Sequence, residues 1–117
     1  MRKRILVLED EKAILELIQE ILEGEGYEVF AFAQYQSVDN IIEFQPRLIL
    51  LDVRLSNGYG HLLCKELKDN PQTSAIPVIL VSAASNLQKI AKEYGADSFL
   101  PKPFNIEDLV TLVEQYV

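Results

Sequence analysis

The sequence contains few of the residues that several classes of protein depend on. It has one cysteine, Cys64, and one histidine among 117 residues, which excludes an internal disulfide and a zinc site built from several histidines and cysteines. No apolar run approaches the ~20 residues that cross a bilayer. The basic start, residues 1–4, lacks the apolar segment of a secretory signal. We therefore expect a soluble cytoplasmic protein without a membrane partner.

Basic residues are also in the minority. Lysine and arginine together number 11 against 18 aspartates and glutamates, which gives a formal net charge of −7. This charge argues against direct binding of nucleic acid, because DNA and RNA are recognised through basic surfaces. At about 150 residues per domain, the length predicts one domain, covering residues 1–117.

Short apolar runs alternate with segments of helical periodicity. Runs of four apolar residues, each too short for a core helix, predict strands that are buried on both faces. Including weaker segments, the predicted strands cover residues 5–8, 27–32, 47–52, 76–82 and 98–100. Strict alternation of five strands with five helices predicts an α/β fold, (βα)5 and doubly wound around a parallel sheet.

Helix ends and faces support this assignment. Gly24 and Gly95 predict helix ends, and Asn105 with Asp108 three residues later predicts the start of the last helix. In the first helix, one apolar stripe is predicted to face the sheet; it comprises Ala13, Ile14, Leu17, Ile18, Ile21 and Leu22.

Polar side chains follow the predicted strands where open α/β sheets place their sites. They are Glu9, Asp10, Asp52, Ser82 and Lys102. Carboxylates that meet at one sheet edge repel one another and favour a bound cation, and oxygen ligands alone favour Mg²⁺. Carboxylate, cation, ammonium and hydroxyl together suit phosphoryl transfer, with Asp52 as the candidate nucleophile.

Four segments resemble the receiver domain of bacterial two-component response regulators. They are residues 5–11, 48–52, 81–83 and 95–104, and they lie in the family's order, each at the end of the corresponding element. The resemblance covers the whole chain. It implies a flavodoxin-like, CheY-like fold with strand order 2-1-3-4-5.

The resemblance also implies a phosphoacceptor site. Asp52 would take a phosphoryl group from the phosphohistidine of a histidine kinase or phosphotransfer protein. Mg²⁺, or Mn²⁺, would be bound by Asp10, Asp52 and the backbone carbonyl of Arg54, with Glu9 acting through a metal-bound water. Such a domain is not an enzyme in the usual sense, since it catalyses its own phosphorylation and its own slow dephosphorylation.

The same resemblance implies a conformational switch. Lys102 would pair with a phosphoryl oxygen, and the Lys102–Pro103 bond would be cis. Ser82 would move to hydrogen-bond the phosphoryl group, and Phe99 would swing into the space that Ser82 leaves.

Several positions depart from the family pattern. Ser56 replaces a frequent proline, and the segment between Ser82 and Phe99 is shorter than in many relatives, which affects the usual output face. Arg54 and Ala84 flank the expected route of the hydrolytic water, and alanine cannot orient a water. We therefore expect the phosphoryl group to be long-lived.

Two other functions remain open. The chain could be a receiver-like binding module that is never phosphorylated, although the complete acidic set and Lys102 argue against this. It could be a Mg²⁺-dependent phosphohydrolase, although Arg54 stands where such enzymes need a second aspartate. Because Val117 directly follows the last predicted helix, the chain fits either a single-domain regulator or part of a longer one with an output domain.

Overall fold

The computed structural model describes residues 2–117 and contains one five-stranded parallel sheet flanked by five helices. The strands are β1 (Arg4–Leu8), β2 (Glu28–Phe32), β3 (Leu48–Leu51), β4 (Val78–Ser82) and β5 (Ser98–Pro101). The helices are α1 (Lys12–Gly24), α2 (Val38–Phe44), α3 (Gly60–Asp69), α4 (Leu87–Tyr94) and α5 (Ile106–Tyr116). Within these residues, no helix is both long enough and apolar enough to cross a membrane.

The strands lie in the order β2-β1-β3-β4-β5, and all of their pairings are parallel. This confirms the predicted (βα)5 fold and its strand order. Leu8 pairs with Leu51, and Ser82 pairs with Pro101, so the carboxyl ends of neighbouring strands are level. The residues that follow these strands are thereby brought to one edge of the sheet.

Each strand of the sheet's centre is buried on both faces. Along β1, Leu6 and Leu8 pack into a core with α2, α3 and α4, whereas Ile5 and Val7 pack into a second core with α1 and α5. This alternation follows from the two-residue period of a strand. It explains why the strands are continuously apolar, as expected for a parallel sheet covered by helices on both sides.

The prediction for the buried face of α1 was wrong in part. Leu17 is 44% exposed and Ala13 is exposed as well, whereas Leu15, which was left out of the stripe, is buried together with Ile18 and Leu22. Leu17 precedes Ile18 by one residue and so points about 100° away from it around the helix. The helix therefore faces the sheet along a narrower stripe than its apolar composition indicates.

Helix termini follow the predicted pattern. The side chain of Asn105 accepts a hydrogen bond from the backbone N–H of Asp108 at 2.8 Å, and Gly95 ends α4 with a φ of 80°. The first helix includes Gly24 as its last residue. The second helix ends at Phe44, and the next residue, Gln45, caps it with a φ of 49° directly before Pro46.

A two-stranded hairpin between β3 and α3 was not predicted. Residues Arg54–Leu55 pair antiparallel with Gly58–Tyr59, and Ser56 and Asn57 form the turn between them. This hairpin begins two residues after Asp52, so it forms one wall of the region at the carboxyl ends of the strands.

Candidate phosphoacceptor site

The candidate site is a cavity of about 350 Å³ at the carboxyl ends of the strands. Its charged and hydroxyl-bearing lining residues are Asp10, Glu11, Asp52, Arg54, Ser82 and Lys102. They come from the segments after β1, β3 and β5 and from the last residue of β4, because parallel strands direct their carboxyl ends to the same edge. The structure therefore brings together every predicted polar residue: Glu9 does not line the cavity, but its carboxylate contacts Lys102, which does.

Lys102 joins the acidic residues to one another. Its Nζ atom lies 2.8 Å from Oε1 of Glu9 and 3.2 Å from Oδ2 of Asp52, and its side chain is only 9% exposed. The backbone N–H of Lys102 donates to the carbonyl of Ser82 at 2.9 Å, which fixes the start of this segment against β4. The following bond, Lys102–Pro103, is cis.

The electrostatics of the site centre on Glu9, which is 1% exposed. Burial, the hydrogen bond to Asp52 and the charge of Asp52 raise the pKa of Glu9 to about 7, although Lys102 and the N–H of Glu11 oppose the change. In the part of the chain that the structure describes, Oε1 of Glu9 is buried without a hydrogen bond of good geometry, despite its short distance to Lys102. The carboxylates of Glu9, Glu11 and Asp52 all lie near the ammonium group of Lys102.

The pKa of Lys102 is raised as well, but for a different reason. Burial alone would lower the pKa of its ammonium group, but hydrogen bonds and charges from Glu9 and Asp52 outweigh burial and raise the pKa. Lys102 is therefore fully charged at neutral pH and can offer its donors to an incoming anion.

Asp52 is buried but its carboxylate reaches the cavity. Oδ2 contacts Lys102, while Oδ1 accepts a long hydrogen bond of 3.4 Å from the backbone N–H of Arg54. The backbone of Asp52 is held by a 2.9 Å hydrogen bond from its N–H to the carbonyl of Leu8. The backbone of Asp52 is thus fixed to the end of β1, and its carboxylate is accessible from the cavity.

Asp10 shares the cavity with Asp52 but is exposed to solvent. Within residues 2–117, no three acidic, histidine or cysteine side chains are already gathered around one metal position. Mg²⁺, however, is commonly bound by one or two carboxylates and keeps several waters. The oxygen-only ligands fit such a cation, and so does the buried Oε1 of Glu9, which has Lys102 nearby but makes no hydrogen bond of good geometry with any of the described residues.

Ser82 and Phe99 lie on neighbouring strands near the cavity. Ser82 is buried, and its Oγ accepts a hydrogen bond of 3.2 Å from the backbone N–H of Ala84. Phe99 is half-buried and packs against the core formed with α3 and α4. The Ser82 side chain lines the cavity, whereas the Phe99 ring packs toward α3 and α4.

The comparison with protein families identifies which family of this fold the chain belongs to. Residues 5–114 match the response regulator receiver domain. The chain belongs to this family. A receiver domain is a phosphoacceptor of two-component signalling rather than a classical enzyme.

Individual relatives agree with this assignment. The DNA-binding dual master transcriptional regulator RpaA of Synechocystis sp. is 35% identical, and the match covers 94% of this chain but 47% of RpaA. The chain therefore spans about half the length of this relative.

Solved structures also match the receiver. A CheY-like response regulator receiver domain protein from Methanospirillum hungatei is 30% identical with a TM-score of 0.88, covering 98% of this chain and 93% of that one. The Mn²⁺-bound form of the response regulator Rcp1 is 28% identical with a TM-score of 0.75, covering 97% and 90%.

Two residues of this receiver were given no role from the sequence. Glu11 lies 3.4 Å from Lys102 through Oε1, and Ser56 donates a hydrogen bond of 2.6 Å to Asp10. Glu11 follows the acidic pair directly, and this position alone could have indicated its contact with the lysine. Ser56 was noted only as a departure from the family pattern, and its contact with Asp10 could not have been found, because the hairpin that carries it leaves no periodic signal.

Proposed function

We propose that this receiver accepts a phosphoryl group on Asp52 from the phosphohistidine of a histidine kinase or phosphotransfer protein. The observation that carries the proposal is the pairing of a strand-end carboxylate with a buried lysine at 3.2 Å, beside an open cavity. An output domain or output protein would then read the change in conformation. No direct nucleic-acid partner is proposed for this domain.

The chemistry assigned to the side chains is an in-line displacement. One oxygen of Asp52 forms a bond to phosphorus while the bond from phosphorus to the histidine nitrogen breaks, and that nitrogen keeps the electron pair. Lys102 neutralises charge on the transferring oxygens, since its ammonium already lies within hydrogen-bonding distance of Asp52. The aspartyl phosphate that results is an acyl phosphate.

The cation site is assigned to residues that face the cavity. Asp10, Asp52 and the backbone carbonyl of Arg54 would hold Mg²⁺ or Mn²⁺, with Glu9 acting indirectly. When bound, the cation supplies positive charge to the transferring phosphoryl oxygens. Positive charge is useful here, because the carboxylates of Glu9 and Asp52 both contact the ammonium group of Lys102 and Asp10 lines the same cavity.

The proposed switch uses Ser82 and Phe99. Over the described range, 2–117, the Ser82 hydroxyl makes one hydrogen bond, which it accepts from the N–H of Ala84, so its proton is free to turn toward a phosphoryl oxygen. Phe99 packs on the next strand and would move into the space beside β4. The added charge at Asp52 would thereby change the surface near α4.

Labelling with acetyl phosphate tests the proposal. In the presence of Mg²⁺, wild-type protein is expected to gain one phosphoryl group per chain, seen as a shifted band on a phosphate-retarding gel. Asp52→Asn should abolish the band, because an amide cannot form the acyl phosphate. Asp69→Asn, an exposed aspartate on α3, is the matched control and should label normally.

The other outcomes distinguish the alternative functions. Wild-type protein that stays unlabelled would indicate a binding module that is not phosphorylated. Rapid release of phosphate over many turnovers would indicate a phosphohydrolase. Either result would contradict the proposed function.

A long lifetime of the phosphorylated form is a second expected result. Arg54 and Ala84 both line the cavity, and neither can act as a base for an attacking water. We expect a half-life of many minutes or more, measured by loss of the shifted gel band after removal of acetyl phosphate. Ala84→Glu should shorten it several-fold, while Ala75→Glu, in the exposed loop before β4, should not. A lifetime of seconds that Ala84→Glu leaves unchanged would contradict this prediction.

A further inference from the structure

A hydroxyl outside the predicted site contacts the acidic cluster. Oγ of Ser56 donates a hydrogen bond of 2.6 Å to Oδ1 of Asp10, and the same atom lies 3.4 Å from the carbonyl oxygen of Ala33. A hydrogen bond to a carboxylate at this distance is short and charge-assisted. Ser56 is therefore in direct contact with a residue assigned to the cation site.

The loop that carries Ser56 is held in place by two contacts with Tyr35. Within the hairpin, Oδ1 of Asn57 accepts a hydrogen bond of 2.8 Å from the backbone N–H of Tyr35. The Tyr35 ring packs so closely on Gly58 that a Cβ atom there would lie 2.7 Å from the ring. These contacts tie the hairpin to the segment after β2, so Ser56 presents its hydroxyl from a fixed position.

The hydrogen bond from Ser56 restrains the Asp10 side chain, which would otherwise be free to turn away from the cavity. Its side chain is exposed, and it shares a cavity with the negative charge of Asp52. Without a cation, repulsion between the two carboxylates favours rotation of Asp10 toward solvent. The hydrogen bond from Ser56 opposes this rotation and occupies only one oxygen, Oδ1. Among residues 2–117, the other oxygen of Asp10 accepts no protein hydrogen bond and is left for a ligand.

We propose that Ser56 is a positioning residue that holds Asp10 beside Asp52 and so prepares the site for a divalent cation. The inference rests on the proposed function, because it assigns Asp10 to the cation site. Groups that hydrogen-bond a metal ligand fix its orientation, and their loss commonly weakens metal binding by about 10- to 100-fold. Because Ser56 is exposed, we expect an effect at the lower end of this range.

The test is a titration of the protein with Mn²⁺ alone, in which the free ion is counted by electron paramagnetic resonance. Ser56→Ala is expected to bind Mn²⁺ about tenfold more weakly than wild type. Ser56→Thr keeps the hydroxyl and should bind within about twofold of wild type. Ser74→Ala, an exposed serine in the loop before β4, is the matched control and should bind normally.

Thermal unfolding without metal completes the experiment. The midpoint should be the same for wild type and Ser56→Ala, because an exposed hydroxyl adds little to the stability of the fold. Affinity that is unchanged or increased in Ser56→Ala would overturn the inference, and so would a loss that Ser56→Thr fails to restore. If wild-type protein itself binds no Mn²⁺ and takes no phosphoryl group, the proposed function fails instead.

Discussion

Gly60→Ala is expected to lower the free energy of unfolding by about 3 kcal/mol, the upper end of the usual effect of overpacking. Gly60 begins α3, and a Cβ atom there would lie 1.7 Å from the carbonyl oxygen of Asp52 and 2.8 Å from its carbonyl carbon. Both are backbone atoms, so no side-chain rotation can relieve the clash. The N–H of Gly60 also donates to the carbonyl of Val53 at 2.7 Å, which holds the helix start in place.

The clash falls on the backbone of the proposed phosphoacceptor. Relief requires either α3 or Asp52 to move, and movement of Asp52 would also lengthen its contact with Lys102. Gly60→Ala should therefore slow labelling by acetyl phosphate as well as unfold at lower urea concentration. Urea denaturation followed by circular dichroism measures the first effect, and the phosphate-retarding gel measures the second.

Gly24→Ala is the matched control for this substitution. Gly24 ends α1, and a Cβ atom there would meet nothing within 4 Å. Alanine also restricts the unfolded chain, so this variant should be as stable as wild type or more stable by up to about 1 kcal/mol. Equal denaturation midpoints for Gly60→Ala and wild type would show that the close approach to Asp52 is unimportant.

The sequence predicts the fold well because the signals for a parallel sheet are strong and local. Continuous apolar runs identify β1, β3 and β4, and glycine and asparagine mark helix ends that the structure confirms. The hairpin at Arg54–Leu55 was missed because strands of two residues have no measurable period. The exposure of Leu17 was missed because apolar composition does not show which part of a wide stripe meets the sheet.

The residues that form the site could be predicted in the same way, because the carboxyl ends of parallel strands converge whatever side chains they carry. The distances between these residues and the burial of each side chain could not be predicted. Glu9 is buried and Asp10 is exposed although they are adjacent in sequence, and this difference depends on the packing of neighbouring loops. The contact from Ser56 to Asp10 joins residues 46 positions apart. The chemical roles of these residues are still predictions.

Lys102→Met is expected to slow phosphorylation of Asp52 by about 100-fold or more, as the loss of one preorganised donor commonly does. Methionine keeps the length of the side chain but removes the ammonium that contacts both Glu9 and Asp52. Stopped-time labelling with acetyl phosphate and saturating Mg²⁺ measures the rate. Lys65→Met is the matched control, because Lys65 pairs with Asp69 at 3.1 Å on the exposed face of α3.

Lys102→Met should also be less stable than wild type, by an amount that depends on pH. The raised pKa of Lys102 means that its contribution is present at neutral pH and is lost only as the pH rises through that value. Removing Lys102 leaves the buried carboxylates of Glu9 and Asp52 without its ammonium group. The free energy of unfolding should fall by about 1.5–3 kcal/mol, as is usual for the loss of hydrogen bonds to charged groups. Glu9, whose pKa is already about 7, can take up a proton and relieve part of this loss in acid.

Urea denaturation at about pH 6 and about pH 8 separates these effects. Because the pKa of Glu9 rises further without Lys102, the difference in stability between Lys102→Met and wild type should be larger at the higher pH. Lys65→Met should lose less than about 1 kcal/mol at both, as expected for a surface ion pair. A Lys102→Met variant that labels at the wild-type rate, or whose loss of stability is greater at the lower pH, would contradict the assigned role of the lysine.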